Sequence, residues 1–344
     1  MKRTLIIIES FYRWFLIFSL LIVAFACSVK KDRIMTVNGW LNAEEMGITL
    51  THEHIMIDWI GPDSTGYHRW NKDSIVERIL PFLQEIAGSG CKTFIDCTPA
   101  YLGRDPFVDQ RLSELSGLNI IISTGYYGAM NDKYVPRHAW TETSEQLSER
   151  WLKEWNKGID ESGIRPGIIK IAVRRDTILS ELHTKIVEAA ALAHLKSGLT
   201  IVSHTGIGER AFEQLEILKK YGVSPEAFVW THAQGGTKED QIRAAKSGAW
   251  ISLDNVNSDS ASILSYVEML KNLKKNNLLN KVLISHDSGW YTVGELRGGT
   301  IRPFTDIFTY LIPEMRKNGF TDEEITLIME KNPQKAYSVK IRKI

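Results

Sequence analysis

From residue 47 onward the chain alternates short β-branched runs with longer amphipathic, charged stretches. Such alternation restricts the fold to a parallel sheet whose strands are joined by helices. Eight apolar runs recur, at 48–55, 93–97, 119–124, 167–173, 200–204, 228–232, 250–253 and 282–287. Helical patterns follow at 73–87, 105–115, 143–162, 184–197, 209–221, 238–247, 261–276 and 304–317, several stopping at a glycine such as Gly198 or Gly248. A last helix, 322–330, is expected to end at Asn332-Pro333. Eight strands, each followed by a helix, predict an α/β fold, a (β/α)8 TIM barrel forming one domain over 36–344. An open sheet is the alternative, but it would not gather the polar residues at one rim.

The N-terminal residues stand apart from that pattern. Lys2, Arg3 and Arg13 precede a charge-free apolar run, Trp14 to Ala26, that ends Ala24-Phe25-Ala26-Cys27. The run is short for a bilayer span, which takes about 20 residues, and it reads as an export signal. It resembles a bacterial lipoprotein signal. The resemblance implies a signal peptide over 1–26, a lipid anchor on Cys27, a short tether over 27–35 and a periplasm-facing protein. A soluble exported protein and a retained anchor helix are the alternatives. Lys plus Arg (42) nearly balances Asp plus Glu (41) in the 344 residues, and no basic block interrupts the chain. A nucleic-acid partner is therefore not expected, and a small-molecule substrate is. Pairing into a homodimer is left open. Cys91 and Cys97 bracket one predicted strand about 20 Å long, beyond disulfide reach, so both should be free, buried thiols.

Polar residues mark the strand ends. His52 and His54 end the first strand and share a face, with Cα atoms about 6.6 Å apart, while Glu53 faces the other way. Lys170 interrupts the fourth strand, His204 ends the fifth, His232 the sixth and Asp287 the eighth. In a TIM barrel these ends converge at one mouth. Four imidazoles, a lysine and a carboxylate match the needs of two divalent ions. Lone core histidines are the plain alternative.

Lys170 lies within Gly167-Ile168-Ile169-Lys170-Ile171-Ala172-Val173, a run that must be buried. An unpaired ammonium there would cost several kcal/mol. It either pairs with a carboxylate such as Asp96 or Asp254, or reacts as an amine with carbon dioxide to give a carbamate that can bridge two metals.

With those residues in view the chain resembles the phosphotriesterase family of binuclear metal hydrolases. The resemblance runs from about Thr36 to Tyr337. It rests on Gly47-Ile48-Thr49-Leu50-Thr51-His52-Glu53-His54, Asp96-Cys97-Thr98 with Gly103-Arg104-Asp105, Gly163-Ile164-Arg165-Pro166-Gly167-Ile168-Ile169-Lys170, Ser203-His204-Thr205, Ser285-His286-Asp287 and Asn332-Pro333. It implies two divalent ions, zinc by expectation. His52, His54 and Asp287 would hold one and His204 and His232 the other, with carboxylated Lys170 bridging them. It also implies hydrolysis by a water activated between the metals, with Asp287 as the catalytic proton acceptor. Two departures bear on substrate. Ala233-Gln234-Gly235-Gly236 stands where phosphotriesterases and their lactonase relatives carry an aspartate pair, and Asn255 stands where they place histidine or arginine. The expected activity is cleavage of a lactone or other carboxylic ester, with weak phosphotriesterase activity. The alternatives are an amide or phosphorylated-sugar-lactone hydrolase, and a lipid-tethered binding protein without turnover.

Loops at the mouth should read the substrate. Tyr127 and Trp290 are the expected substrate-binding aromatics, with Trp59, Trp70 and Trp140 as further candidates for a cluster there. His286 is expected to face away from the metals. His68, His138, His183 and His194 are read as surface or helix residues.

Overall fold

The computed structural model describes residues 31–175 and 178–344. The signal segment 1–26, the lipidation residue Cys27 and the first residues of the tether lie outside the described residues. The end of the tether is corrected: Arg33–Met35 belong to β1 (Arg33–Thr36), which turns back as β2 (Gly39–Asn42) in an antiparallel hairpin, with Ile34 fully buried.

The barrel strands follow in chain order. They are β3 (Ile48–Ile57), β4 (Cys91–Asp96), β5 (Asn119–Ile121), β6 (Ser123–Thr124), β7 (Ile168–Ala172), β8 (Thr200–His204), β9 (Phe228–Thr231), β10 (Trp250–Leu253), β11 (Val282–Ile284) and β12 (Gly289–Thr292). All pair in parallel, in the orders β12-β3-β4-β5 and β6-β7-β8-β9-β10-β11. The third predicted strand is thus interrupted at Ile122, its first half pairing with β4 and its second with β7. The eighth is also split, ending at Ile284 and resuming at Gly289. The Asp287 amide donates to the His52 carbonyl and β12 pairs with β3, which closes the ring.

Alternation along the strands separates two cores. Ile95, Ile121, Ile168, Val202, Val229, Trp250 and Leu283 pack together inside, with Ile34, Met46 and Tyr337 beneath them. Their neighbours Phe94, Ile120, Ile169, Ile201, Trp230, Ile251 and Ile284 face the helices. The apolar plug leaves only the carboxyl ends of the strands for polar side chains, which is where a TIM barrel places its site.

Helix ends differ from expectation where glycine and proline act. The helix predicted over 143–162 is Ser144–Lys157, stopped at Gly158. The last helix does not end at Asn332-Pro333: the turn Leu327–Lys331 widens to five-residue hydrogen bonding and the chain continues helical through Asn332–Tyr337. The same widening, at Ile307–Leu311, precedes Pro313. A π turn makes room for a proline ring and its missing N–H, so proline does not terminate either helix.

Cys91 and Cys97 are free and buried, and burial pushes both thiols up to about 12. The thiolate is the reactive form. Neither of these two thiols should therefore react with an aromatic disulfide reagent in the folded protein at pH 8, and both should react after denaturation; prompt reaction of either in the fold would contradict this packing.

Candidate metal centre

Strand β3 does not alternate regularly. Leu50 pairs with Phe94 and Glu53 with Asp96, so three steps on β3 match two on β4. This bulge is what turns His52 and His54 into the barrel although Leu50 packs outward. Their ring centroids lie 5.4 Å apart. Lys170 shares the inner face with Ile168 and is buried, its Nζ 3.0 Å from His52 Nε2. His204 follows Val202 on that same face. His232 does not follow by alternation, because Val229 and Thr231 already take the inner positions. A left-handed backbone (φ +59°) swings it in, leaving Nε2 2.8 Å from His204 Nδ1. Asp287 is also left-handed (φ +53°). Such conformations in non-glycine residues persist only where the surroundings impose them.

Hydrogen bonds on the far side of each ring decide which nitrogen faces the mouth. Asp254, at the end of strand β10, accepts from His52 Nδ1 at 2.8 Å and from His232 Nδ1 at 2.6 Å. Thr98 donates its hydroxyl to the Met56 carbonyl, so its oxygen accepts from His54 Nδ1 at 2.9 Å. All three rings thus carry Nδ1–H and turn an Nε2 inward, as metal-ligating imidazoles require. Charge distribution follows the same plan. Burial and then Lys170 pull His52 down to about 4. Burial, with His232 and Lys170 adding to it, holds His204 well below the usual range. Burial opposes charge on His232 too, but Asp254 outweighs it and raises that ring. Burial would raise Asp254 and Asp287; the imidazoles around each carboxylate win, and both lie below the ordinary range.

Asp287 is delivered by a segment pinned from β3. Glu53 faces away from the metal-facing histidines and is fully buried. Its Oε1 accepts from Ser285 Oγ (2.7 Å), the His286 amide (2.9 Å) and His286 Nδ1 (2.7 Å), and its Oε2 accepts from the Ser288 amide (2.9 Å). His286 Nε2 in turn accepts from the Ile307 amide, so this histidine faces outward as expected. Glu53→Gln would set an NH2 against a donor in either orientation. The expected cost is about 1–3 kcal/mol, the penalty of an unmet buried polar group, read as a lowered denaturation midpoint; unchanged stability would remove Glu53 from this role.

The ligand atoms of His52, His54 and Asp287 all lie within 4.8 Å of one another. Asp287 Oδ1 is 3.1 Å from His54 Nε2 and 3.7 Å from His52 Nε2, and it is buried without a hydrogen-bond partner.

Residues 32–337 match the model of the phosphotriesterase family. This chain belongs to the phosphotriesterase family. Among its relatives, the aryldialkylphosphatase of Saccharolobus solfataricus is 26% identical over 308 residues, covering 87% of this chain and 97% of the relative. The N-acetyltaurine hydrolase of Dictyostelium discoideum is 24% identical over 368 residues, covering 89% and 98%. A triple mutant of the organophosphorus hydrolase from Deinococcus radiodurans has the same fold, with a TM-score of 0.79 at 23% identity, covering 89% of this chain and 98% of the other.

Membership implies a hydrolase with a binuclear metal centre, and the residues present fit one. Six candidate ligands meet at one rim, the three rings fixed above turn Nε2 inward, and the Asp287 oxygen lacks any other partner. Nitrogen with carboxylate oxygen is a donor set that suits zinc. Asp254, which sequence reasoning considered only as a partner for Lys170, instead clamps two imidazoles; its position at the end of an apolar strand was the available signal. The residues after the sixth and seventh barrel strands serve as structural groups. Gln234 Nε2 bonds the Asp254 carbonyl, its Oε1 accepts from the Asp254 amide at 3.3 Å, and Asn255 is left-handed at φ +84°.

Aromatic rings wall the mouth between the two ends of the phosphotriesterase-type site. Trp290 lies 4.4 Å from His54 and stacks on Trp59 (5.6 Å, 15°); Trp59 meets Tyr134, Tyr134 meets Tyr127, and Tyr127 lies 5.2 Å from His204. Trp70 instead donates to Asp105, and Trp140 is exposed. His183 and His194 lie in the helix Glu181–Ser197, as expected of helix residues, and are buried there, bonded to Asp132 and to the Leu199 and Arg342 backbone respectively.

Proposed function

We propose that the chain is an exported metal-dependent hydrolase that cleaves a lactone or other carboxylic ester, with phosphotriester cleavage as a weak side activity. The buried, otherwise unpartnered Asp287 oxygen facing His54 Nε2 carries this reading. His52, His54 and Asp287 would hold one divalent ion and His204 and His232 the other, with Lys170 as the bridging carbamate. Bound ions, zinc by the donor set, would supply Lewis acidity and bring the pKa of water toward 7.

The chain's own groups do the rest. Asp287, an anion throughout the neutral range, orients the attacking water and takes its proton. Asp254 keeps His52 and His232 in one tautomer and one orientation. The Tyr127 phenol is pushed up by burial and then by Asp287, so it stays protonated and can donate to the substrate oxygen. Trp290 and Trp59 form the apolar wall. The near balance of basic and acidic residues supports a small-molecule substrate rather than a nucleic acid. Export and a lipid anchor at Cys27 rest on the apolar run at 14–26.

A second reading, amide hydrolysis on the same centre, is favoured by the N-acetyltaurine hydrolase relative, which aligns along nearly its whole length. Metal analysis followed by a screen of esters, lactones, phosphotriesters and amides tests these readings. The expected result is two equivalents of metal and fastest turnover on a carboxylic ester or lactone. Preferred turnover of amides would select the second reading, and two equivalents without turnover of any substrate would make the protein a tethered binder.

A further inference from the structure

Arg302 stands apart from the other mouth residues. Its backbone exchanges hydrogen bonds with Gly289, the residue that opens β12, which fixes it beside the rim (Arg302 N to Gly289 O, 3.0 Å; Gly289 N to Arg302 O, 3.2 Å). From there the guanidinium returns across the tops of the seventh and eighth strands. Nη1 donates to the Asp287 carbonyl at 3.0 Å and Nη2 to Asn255 Oδ1 at 3.3 Å. Other partly buried arginines are neutralised: Arg69 forks onto Asp58 and Arg104 onto Glu154. Among the described residues, Arg302 has no such carboxylate. It is half-buried, and the remaining N–H groups of a five-donor fork have no protein acceptor there.

We infer that Arg302 recognises an oxyanion, a carboxylate or sulfonate, carried by the substrate close to its scissile acyl bond. The inference deepens the proposed acyl hydrolysis and rests on it. Its distance from the reacting position follows from the chain. A hydrogen bond from the guanidinium to the Asp287 carbonyl, plus the reach from that carbonyl to the Asp287 carboxylate, amounts to roughly 6 Å. Two methylenes between an acyl carbon and a carboxylate, plus one hydrogen bond to the guanidinium, span about the same length. A planar fork suits such an anion better than a point charge would. The Asp287 carbonyl already accepts from Trp290 Nε1 at 2.8 Å as well, so it cannot absorb further donors from the guanidinium. Asn255 serves here to orient Arg302.

The alternative is that Arg302 merely braces the two strand tops, which would affect all substrates alike. Hydrolysis of mono-4-nitrophenyl succinate and of 4-nitrophenyl butyrate by the metal-loaded protein separates the two, because the esters match in length and differ in charge. Arg302→Gln is expected to lower the anionic-to-neutral ratio of kcat/KM ten- to a hundredfold, mainly through KM, and Arg302→Lys to restore part of it. Equal losses on both esters, or no change in the ratio, would overturn the inference. Calorimetry with propane-1-sulfonate, which is not hydrolysed, reads the same contact without turnover. Binding by wild type that weakens at least tenfold in Arg302→Gln supports oxyanion recognition even if no ester is cleaved, in which case the hydrolase reading fails alone. Absence of propane-1-sulfonate binding to an active wild type overturns the oxyanion subsite and leaves the hydrolase reading standing.

Discussion

Asp287→Asn is expected to lower turnover by a hundred- to ten-thousandfold, the range of a general acid–base contribution, while keeping much of the metal. Asparagine preserves the shape and one oxygen, so the position facing His54 Nε2 at 3.1 Å remains filled. What it loses is the anion. In the native site the carboxylate lies below its ordinary range because the neighbouring imidazoles overcome the cost of burial. It is therefore charged and ready to receive a proton at neutral pH, and an amide cannot do so. The backbone should tolerate the change, since the left-handed conformation at this residue suits asparagine as well as aspartate. Metal content by mass spectrometry and kcat on the best substrate of the screen test it together. Wild-type turnover would remove Asp287 from proton transfer, whereas loss of all metal would reassign it to ligation alone.

The barrel and its six candidate ligands could be read from residue order, because a repeated strand-helix pattern admits few closed arrangements and every candidate ligand but Lys170, which interrupts a strand, stands at the end of an apolar run. Lys170 and His204 follow from alternation with Ile168 and Val202. His52 and His54 share a face as expected, but which face depends on the bulge between Leu50 and Glu53, and alternation from Leu50 alone would place them outside. His232 would likewise point outward without its left-handed backbone. Bulges and left-handed residues are imposed by long-range packing, and local sequence carries little trace of them. The same limit explains Asp254 and Glu53, which meet His52 and Ser285 respectively across more than two hundred residues of chain. It also explains Pro333, where the expectation of a helix end lost to a widened turn.

Asp254→Asn should have the second large effect, and it acts through proton position. Oδ1 accepts from His232 Nδ1 and the His232 amide, and Oδ2 accepts from His52 Nδ1 and Ser252 Oγ. An asparagine must aim its NH2 at one of these two rings. That ring then has to accept at Nδ1, which moves its proton to Nε2, the atom turned toward Lys170 in His52 or toward His204 in His232. One ligand is thereby lost. Removing such an outer partner typically costs ten- to a hundredfold in metal affinity or activity, so competition with a chelator should extract one ion from the variant at least tenfold more readily. The metal-free proteins add an independent reading. Asp254 is held below its ordinary range in the fold, so it contributes stability above about pH 4, the unfolded carboxylate value, and that contribution is lost as pH falls. The stability gap between wild type and Asp254→Asn should therefore be full at neutral pH and narrow below about pH 4. Equal chelator resistance together with a gap that ignores pH would mean that Asp254 neither sets the imidazole tautomers nor carries its charge in the fold.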